Sequence, residues 1–357
     1  MTYILTEDQE MLQATMHEML ARHCDSRRVH AIIDARAPRD EDLWKKLIEF
    51  GIAGAAIPQE FGGLGLGLRE LVLLAEELGA AAAPANFLGQ VLAAIAIAEC
   101  GSDAQKATCL PKLASGEVDA TIALGEGDDG WDPSRWTLRP SERVSSRKDY
   151  VPGADVAKLF IVGCREGLGL VTAGDGVTIE ALETVDFTRP LGRLTLDNVR
   201  VEPLGDGSAA AVRRVLDAGS ILLAADAFGG ASRCVAMAVD YSKTREQFGV
   251  PIASFQGLRY QLVQLALDTE PGRGLIWHAA RAWDLGEPDS PLAAATAKAH
   301  MTDRYLQVAR DTIEAHGGIG YTWDHDAHIY LKRAMFDFAV LGAPSAHRKR
   351  MADLSGW

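Results

Sequence analysis

The sequence predicts an α+β multidomain chain: an N-terminal helical domain over residues 1–117, a small antiparallel β-barrel over 118–204 and a four-helix bundle over 205–357. Three observations predict it. Apolar residues recur at helical spacing through the first third, short β-type runs replace them from about Val118, and helical spacing returns after Pro203 and persists to the end. A block of short strands between two helical halves fits a small barrel set between helix layers. At 357 residues the chain is long enough for two or three domains with cores of their own.

Thr6, with Gln9 three residues on, opens the first helix as a capping box, and Met11, Leu12, Met16, Met19 and Leu20 form its apolar face. A second helix runs from Asp40 through Trp44, Leu47, Ile48 and Phe50 and stops at Gly51. Gly62, Gly63, Gly65 and Gly67 precede another helix, as in a phosphate-cradling loop. No strand long enough for a dinucleotide fold precedes them and no Gly-Lys-Ser/Thr follows, so tight backbone turns are the expected role. Helices over 68–78 and 87–100 complete this domain. In the middle, β-type runs at 121–124, 159–162, 169–172, 177–180, 194–196 and 199–201 alternate with Gly, Asp and Pro. The last third carries helices over 206–239, 255–285, 291–315 and 323–338, enough for an antiparallel bundle. Pro271 interrupts the second of them, and its missing N–H and bulky ring predict a kink or break near Thr269.

Composition narrows the function classes. Apolar content of 48% with 24% charge is that of a soluble globular chain. A net charge of −13 argues against nucleic acid, since no basic patch offsets phosphate repulsion. The apolar run at 91–98 is too short to span a bilayer, and Glu7, Asp8 and Glu10 follow the first residues too closely for a signal peptide. Five scattered cysteines, never in a C-x-x-C pair, read as reduced thiols in a cytoplasm.

Residues 241–256, YSKTREQFGVPIASFQ, stand out. They begin on a helix, and Gly249 with Pro251 ends it before Phe255 and Gln256 open the next. The bend carries the Arg245 guanidinium, the Gln247 and Gln256 carboxamides and the Phe248 ring, groups able to hold a diphosphate and a ribose. The stretch resembles the R-x-x-F-G-x-x-I-x-x-F-Q signature of the acyl-CoA dehydrogenase family. Two further stretches match the same family: the glycine-rich connector from Pro58 to Gly65, and Glu314-Ala-His-Gly-Gly-Ile-Gly-Tyr321, which resembles Q-x-x-G-G-x-G-Y. The segment from Thr322 to Arg333 is similar to the helix start of a steroid- and aromatic-acid-degrading branch, and residues 147–162 are similar to the strand that leads to the flavin ring.

This resemblance implies FAD as cofactor, lying across a subunit interface, with Arg245, Gln247, Phe248, Gln256, Glu314, Gly317 and Gly318 as its contacts. It implies α,β-desaturation of an acyl-CoA thioester, an electron-transfer acceptor, and a homo- or hetero-oligomer built as a dimer of dimers. Three departures stand against it. The T-E-P-x-x-G-S segment that holds the flavin is replaced by a stretch from Gly125 to Pro133 without Thr or Ser, in which Glu126, Asp128 and Asp129 add negative charge. Glu314 stands where the family has Gln. The two family positions for the proton-abstracting Glu hold Leu341 and Gly219.

Asp226, two helical turns from Gly219 in an apolar run, is the remaining candidate base; the competing reading pairs it with an Arg or a backbone group. The His325 and His328 imidazoles with Asp324 and Asp326 suit helix caps and surface contacts better than a metal site. The chain therefore reads as an acyl-CoA dehydrogenase with Asp226 as base, as a companion subunit that lends FAD contacts to a partner chain, or as a flavin oxidase or monooxygenase on the same fold.

Overall fold

A computed structural model describes residues 4–127, 130–205 and 207–357. Asp128 and Asp129, two of the carboxylates counted above, lie outside the described residues, as do Asp206 and residues 1–3. The N-terminal domain is built from α1 (Glu7–His23), α2 (Ser26–Asp34), α3 (Glu41–Phe50), α4 (Leu68–Ala80), α5 (Phe87–Cys100) and α6 (Asp103–Ala114). Thr6 and Gln9 form the expected capping box of α1, and Gly51, left-handed at φ 96°, ends α3. The sequence reading did not resolve α2 and α6, which begin at the caps Asp25 and Ser102. The glycine-rich connector is a set of turns, with Gly62 and Gly65 at φ 82° and 65°. The amides that open α4, Leu68 N and Arg69 N, are taken by the Asp284 carboxylate at 2.6 and 3.2 Å.

The middle domain corrects the expected antiparallel barrel. Two separate sheets face each other: β1 (Ala120–Ala123), β3 (Leu159–Cys164), β4 (Gly167–Thr172) and β7 (Glu202–Pro203) in one, β2 (Val144–Pro152), β6 (Leu191–Val199) and β5 (Val177–Ala181) in the other. β1 and β3 run parallel, Ala120 opposite Leu159, because the chain between them crosses to the second sheet to form β2. Val151, Phe160, Val162, Leu194 and Leu196 fill the space between the sheets.

The C-terminal bundle comprises α7 (Ala209–Thr244), α8 (Gln256–Thr269), α9 (Pro271–Leu285), α10 (Ser290–His316) and α11 (Ala327–Ala339), followed by α12 (Pro344–Leu354), which the sequence reading missed. The break expected near Thr269 falls at Glu270, between α8 and α9. By length and composition α7 contains a stretch apolar enough to cross a bilayer, but 72% of that stretch is buried in the protein as the bundle's central helix. It crosses α4 at backbone contact. A Cβ on Gly79 would come 2.1 Å from Asp226 O, and one on Gly229 would come 1.9 Å from Glu76 O.

Candidate functional site

Residues 241–256 form two helices joined by a small β-hairpin, not the direct helical bend expected. α7 ends at Thr244; β8 (Glu246–Gln247) and β9 (Val250–Pro251) then pair across Phe248 and Gly249, both left-handed at φ 55° and 81°. Two successive positive φ values are what a two-residue hairpin turn requires. The hairpin is tied to α7 through Arg245, whose N–H donates to Tyr241 O and whose carbonyl accepts from Ile252 N. Its side chains point away from the core. Phe248 is 92% exposed and touches the Phe255 ring edge-on at 6.0 Å. Gln247 donates to Glu246 O, and Gln256 donates to the Tyr260 hydroxyl. Arg245 is exposed, and among the described residues its guanidinium has no hydrogen-bond or ion-pair partner.

The second expected contact segment follows α10. Gly317 is left-handed at φ 61°, and a Cβ at Gly317 or Gly318 would meet nothing within 4 Å. Glu314 is exposed, one turn before them. The structure brings this turn and the hairpin together, since the Tyr241 ring at the end of α7 stacks on His316 at 4.6 Å. An exposed guanidinium with no carboxylate partner among the described residues, beside open glycine backbone, fits a diphosphate arriving from outside the chain. The residues present here therefore suit the diphosphate and ribose of FAD.

Asp226 is elsewhere, 19 residues or about 28 Å along α7 from Arg245. It is 1% exposed, and both carboxylate oxygens are engaged. Arg333 donates to them through Nε at 2.9 Å and Nη2 at 2.7 Å, and Arg189 donates through Nη2. Arg189 also reaches Asp337 at 3.1 Å, and Arg333 reaches Thr188 Oγ1 and the carbonyls of Leu78 and Ala83. Burial pushes the Asp226 carboxyl up, but the Arg189 and Arg333 guanidinium groups outweigh it and hold it below the usual carboxylate range. Burial and the neighbouring Asp226 raise Asp337 well above that range, so the two carboxyls are pushed in opposite directions.

A general base needs a free oxygen and a raised proton affinity. Asp226 has neither, and the space beside Arg189, lined by Asn86, Pro152, Gly153 and Phe336, is about 20 Å³, room for one water. This corrects the expectation of Asp226 as base in favour of pairing with arginine. The sequence signal was a lone Asp on an apolar helix; nothing in it selected Arg189 and Arg333 as partners.

The two family positions for the base converge. Leu341, 6% exposed and left-handed at φ 58°, follows α11, and its Cδ1 would lie 2.4 Å from a Cβ on Gly219. Leu92 closes the same notch at 2.9 Å. His347 Nε2 holds the Leu341 carbonyl at 3.0 Å. In the segment that replaces the flavin-holding loop, Glu126 turns inward to the buried Lys148 and accepts from Thr137 N at 2.8 Å. Burial alone raises the Glu126 carboxyl, and the Lys148 ammonium brings it below the ordinary value. His325 and His328 serve as local caps: His325 Nδ1 accepts from Ala327 N, and His328 Nε2 donates to Trp323 O.

Comparison with known proteins gives the same family at both ends. Residues 6–117 match the acyl-CoA dehydrogenase N-terminal domain, and residues 205–353 match the acyl-CoA dehydrogenase C-terminal domain. The chain is 32% identical to acyl-CoA dehydrogenase IpdE2 of Mycobacterium tuberculosis over 97% of its own length and 96% of the relative's. A solved variant of the Tcur3481-Tcur3483 steroid ACAD superposes with a TM-score of 0.90 at 33% identity, covering 98% of each chain. The ChsE4-ChsE5 complex from Mycobacterium tuberculosis superposes at 0.88 with 27% identity, covering 100% of this chain and 99% of that one.

Proposed function

The chain belongs to the acyl-CoA dehydrogenase family of FAD-dependent oxidoreductases acting on CH–CH groups, and from that premise we propose that it takes part in α,β-desaturation of an acyl-CoA thioester as a companion subunit. In this reading it lends cofactor contacts to a flavin held mainly by a neighbouring chain, and that chain supplies the base. The observation that carries it is the apolar contact of Leu341 with Gly219 and Leu92. Both positions where the family keeps its carboxylate meet there, and aliphatic carbon fills the space.

FAD, when bound, supplies the hydride acceptor. The Arg245 guanidinium holds the diphosphate through paired charge-assisted bonds, with the Gln247 and Gln256 amides as further donors and the Phe248 ring covering an apolar face. Gly317 and Gly318 let backbone amides approach, and Glu314 accepts from a ribose hydroxyl. Leu341 and Leu92 keep carboxylate and water out of this chain's own acyl position. The likeness to a steroid ACAD supports a bulky cyclic, steroid-derived thioester, with an electron-transfer flavoprotein as acceptor. Five free cysteines suit a cytoplasmic setting.

The test is the visible spectrum of the purified chain, alone and co-expressed with a second acyl-CoA dehydrogenase chain. The proposal expects colourless protein alone, and a flavin band that bleaches on acyl-CoA addition in the co-expressed form. Bleaching by the chain alone would refute it and return the chain to the autonomous dehydrogenases.

A further inference from the structure

Behind the surface that carries Arg245 and the Gly317–Gly318 turn, rings from separate elements meet. His316, the last residue of α10, is 4% exposed, stacks on Tyr241 of α7 at 4.6 Å and lies 4.3 Å from His325 on the connection to α11. Tyr241 stands one helical turn before Arg245, and His316 immediately precedes Gly317. His316 Nδ1 donates to Thr312 O at 2.7 Å, which fixes the ring's orientation on its own helix. This is the ring contact between two segments that are distant in sequence and lie on one face.

We infer that His316 is a positioning residue: its ring pins the end of α7 to the Gly317–Gly318 turn so that both address one dinucleotide, and protonation of His325 beside it releases the pin. The inference rests on the reading that these segments contact FAD. A cation on the half-buried His325 ring, 4.3 Å from the buried His316 ring, is poorly solvated, so the close ring contact belongs to neutral His325. The surrounding groups offer little compensation. Asp326 is engaged by Ser26 and His30, His328 faces His30, and Lys332 lies over Trp323. Burial, and then the neighbouring His316, hold the His325 imidazole below its usual value. A depressed histidine contributes its full stabilisation above the unfolded value of about 6.5 and loses it as pH falls through the lower folded value.

The experiment follows FAD release by fluorescence from the flavin-loaded full-length protein, with its co-expressed partner, as pH is lowered from about 8 to about 5, a range that brackets the ordinary imidazole value. Wild type is expected to retain FAD above about pH 6.5 and to release it progressively below. His316→Phe keeps a ring against Tyr241 without the imidazole that faces His325, and His325→Asn keeps an acceptor for Ala327 N. Each should retain about 1.5 times as much FAD as wild type at the pH of wild-type half-release, the change given by a shift of about half a pH unit. Identical profiles in wild type and His325→Asn would overturn the pin, whether or not His316→Phe folds. No FAD at pH 8 in the complex would overturn the cofactor reading, and the pin with it.

Discussion

Replacing Asp226 by asparagine separates a structural carboxylate from a catalytic one. Asp226 accepts two hydrogen bonds from Arg333 and one from Arg189, and neither guanidinium can move into water, since Arg333 is 0% and Arg189 8% exposed. The amide keeps the shape but removes the charge and turns one acceptor into a donor facing a donor. Breaking a buried ion pair by removing one partner costs about 3–5 kcal/mol, about a fifth or more of a typical domain's total stability. Urea unfolding followed by far-UV circular dichroism reads this directly. The expected result is a lower midpoint with an unchanged slope. The wild-type contribution should also fade in acid, because a carboxyl held below its ordinary value stabilises fully above about pH 3.9 and loses that contribution as pH falls through the folded value. A loss under about 1 kcal/mol, coupled to loss of flavin reduction, would refute the structural role and restore Asp226 as base.

Asp337→Asn should cost less than Asp226→Asn in the same assay, about 1 kcal/mol, because burial and the neighbouring Asp226 raise the Asp337 carboxyl and the amide mimics its neutral form. Gly219→Ala should cost about 1–3 kcal/mol by forcing Leu341 and Leu92 aside. Adding Leu341→Ala to that variant should recover part of the cost, a non-additivity that a double-mutant cycle measures. Arg245→Ala should leave unfolding within about 0.5 kcal/mol of wild type, since the side chain is exposed, while weakening FAD retention in the complex by about 10- to 100-fold. Arg245→Lys should recover only part of this, because an ammonium cannot bind bidentately.

The helical halves were legible because their apolar periods are long. The α4, α5 and α7 stripes and the α8–α9 break at Pro271 stand where spacing and proline chemistry place them. The middle domain was legible as strands but not as topology, since short runs carry no record of their partner; the parallel β1–β3 pairing depends on a crossover that spacing cannot reveal. In residues 241–256 the groups were legible and their backbone was not, because the left-handed Phe248 makes a hairpin where Gly249 and Pro251 suggested a plain helix stop. Asp226 shows the limit at the site. Its burial followed from the surrounding apolar run, whereas the arginines that neutralise it come from a loop 37 residues earlier and a helix 107 residues later. Gly219 and Leu341 each read as an absent carboxylate; only the fold shows that they fill the same point.

The most direct test is an experimental structure of the flavin-loaded oligomer, read as the distance from the Arg245 guanidinium to the FAD diphosphate. The account predicts hydrogen-bond contact, about 2.7–2.9 Å, with a flavin whose ring lies against a different chain that also presents a carboxylate to the substrate's α-carbon. Arg245 turned to solvent, or a flavin and acyl thioester both seated within this chain beside Leu341, would contradict it.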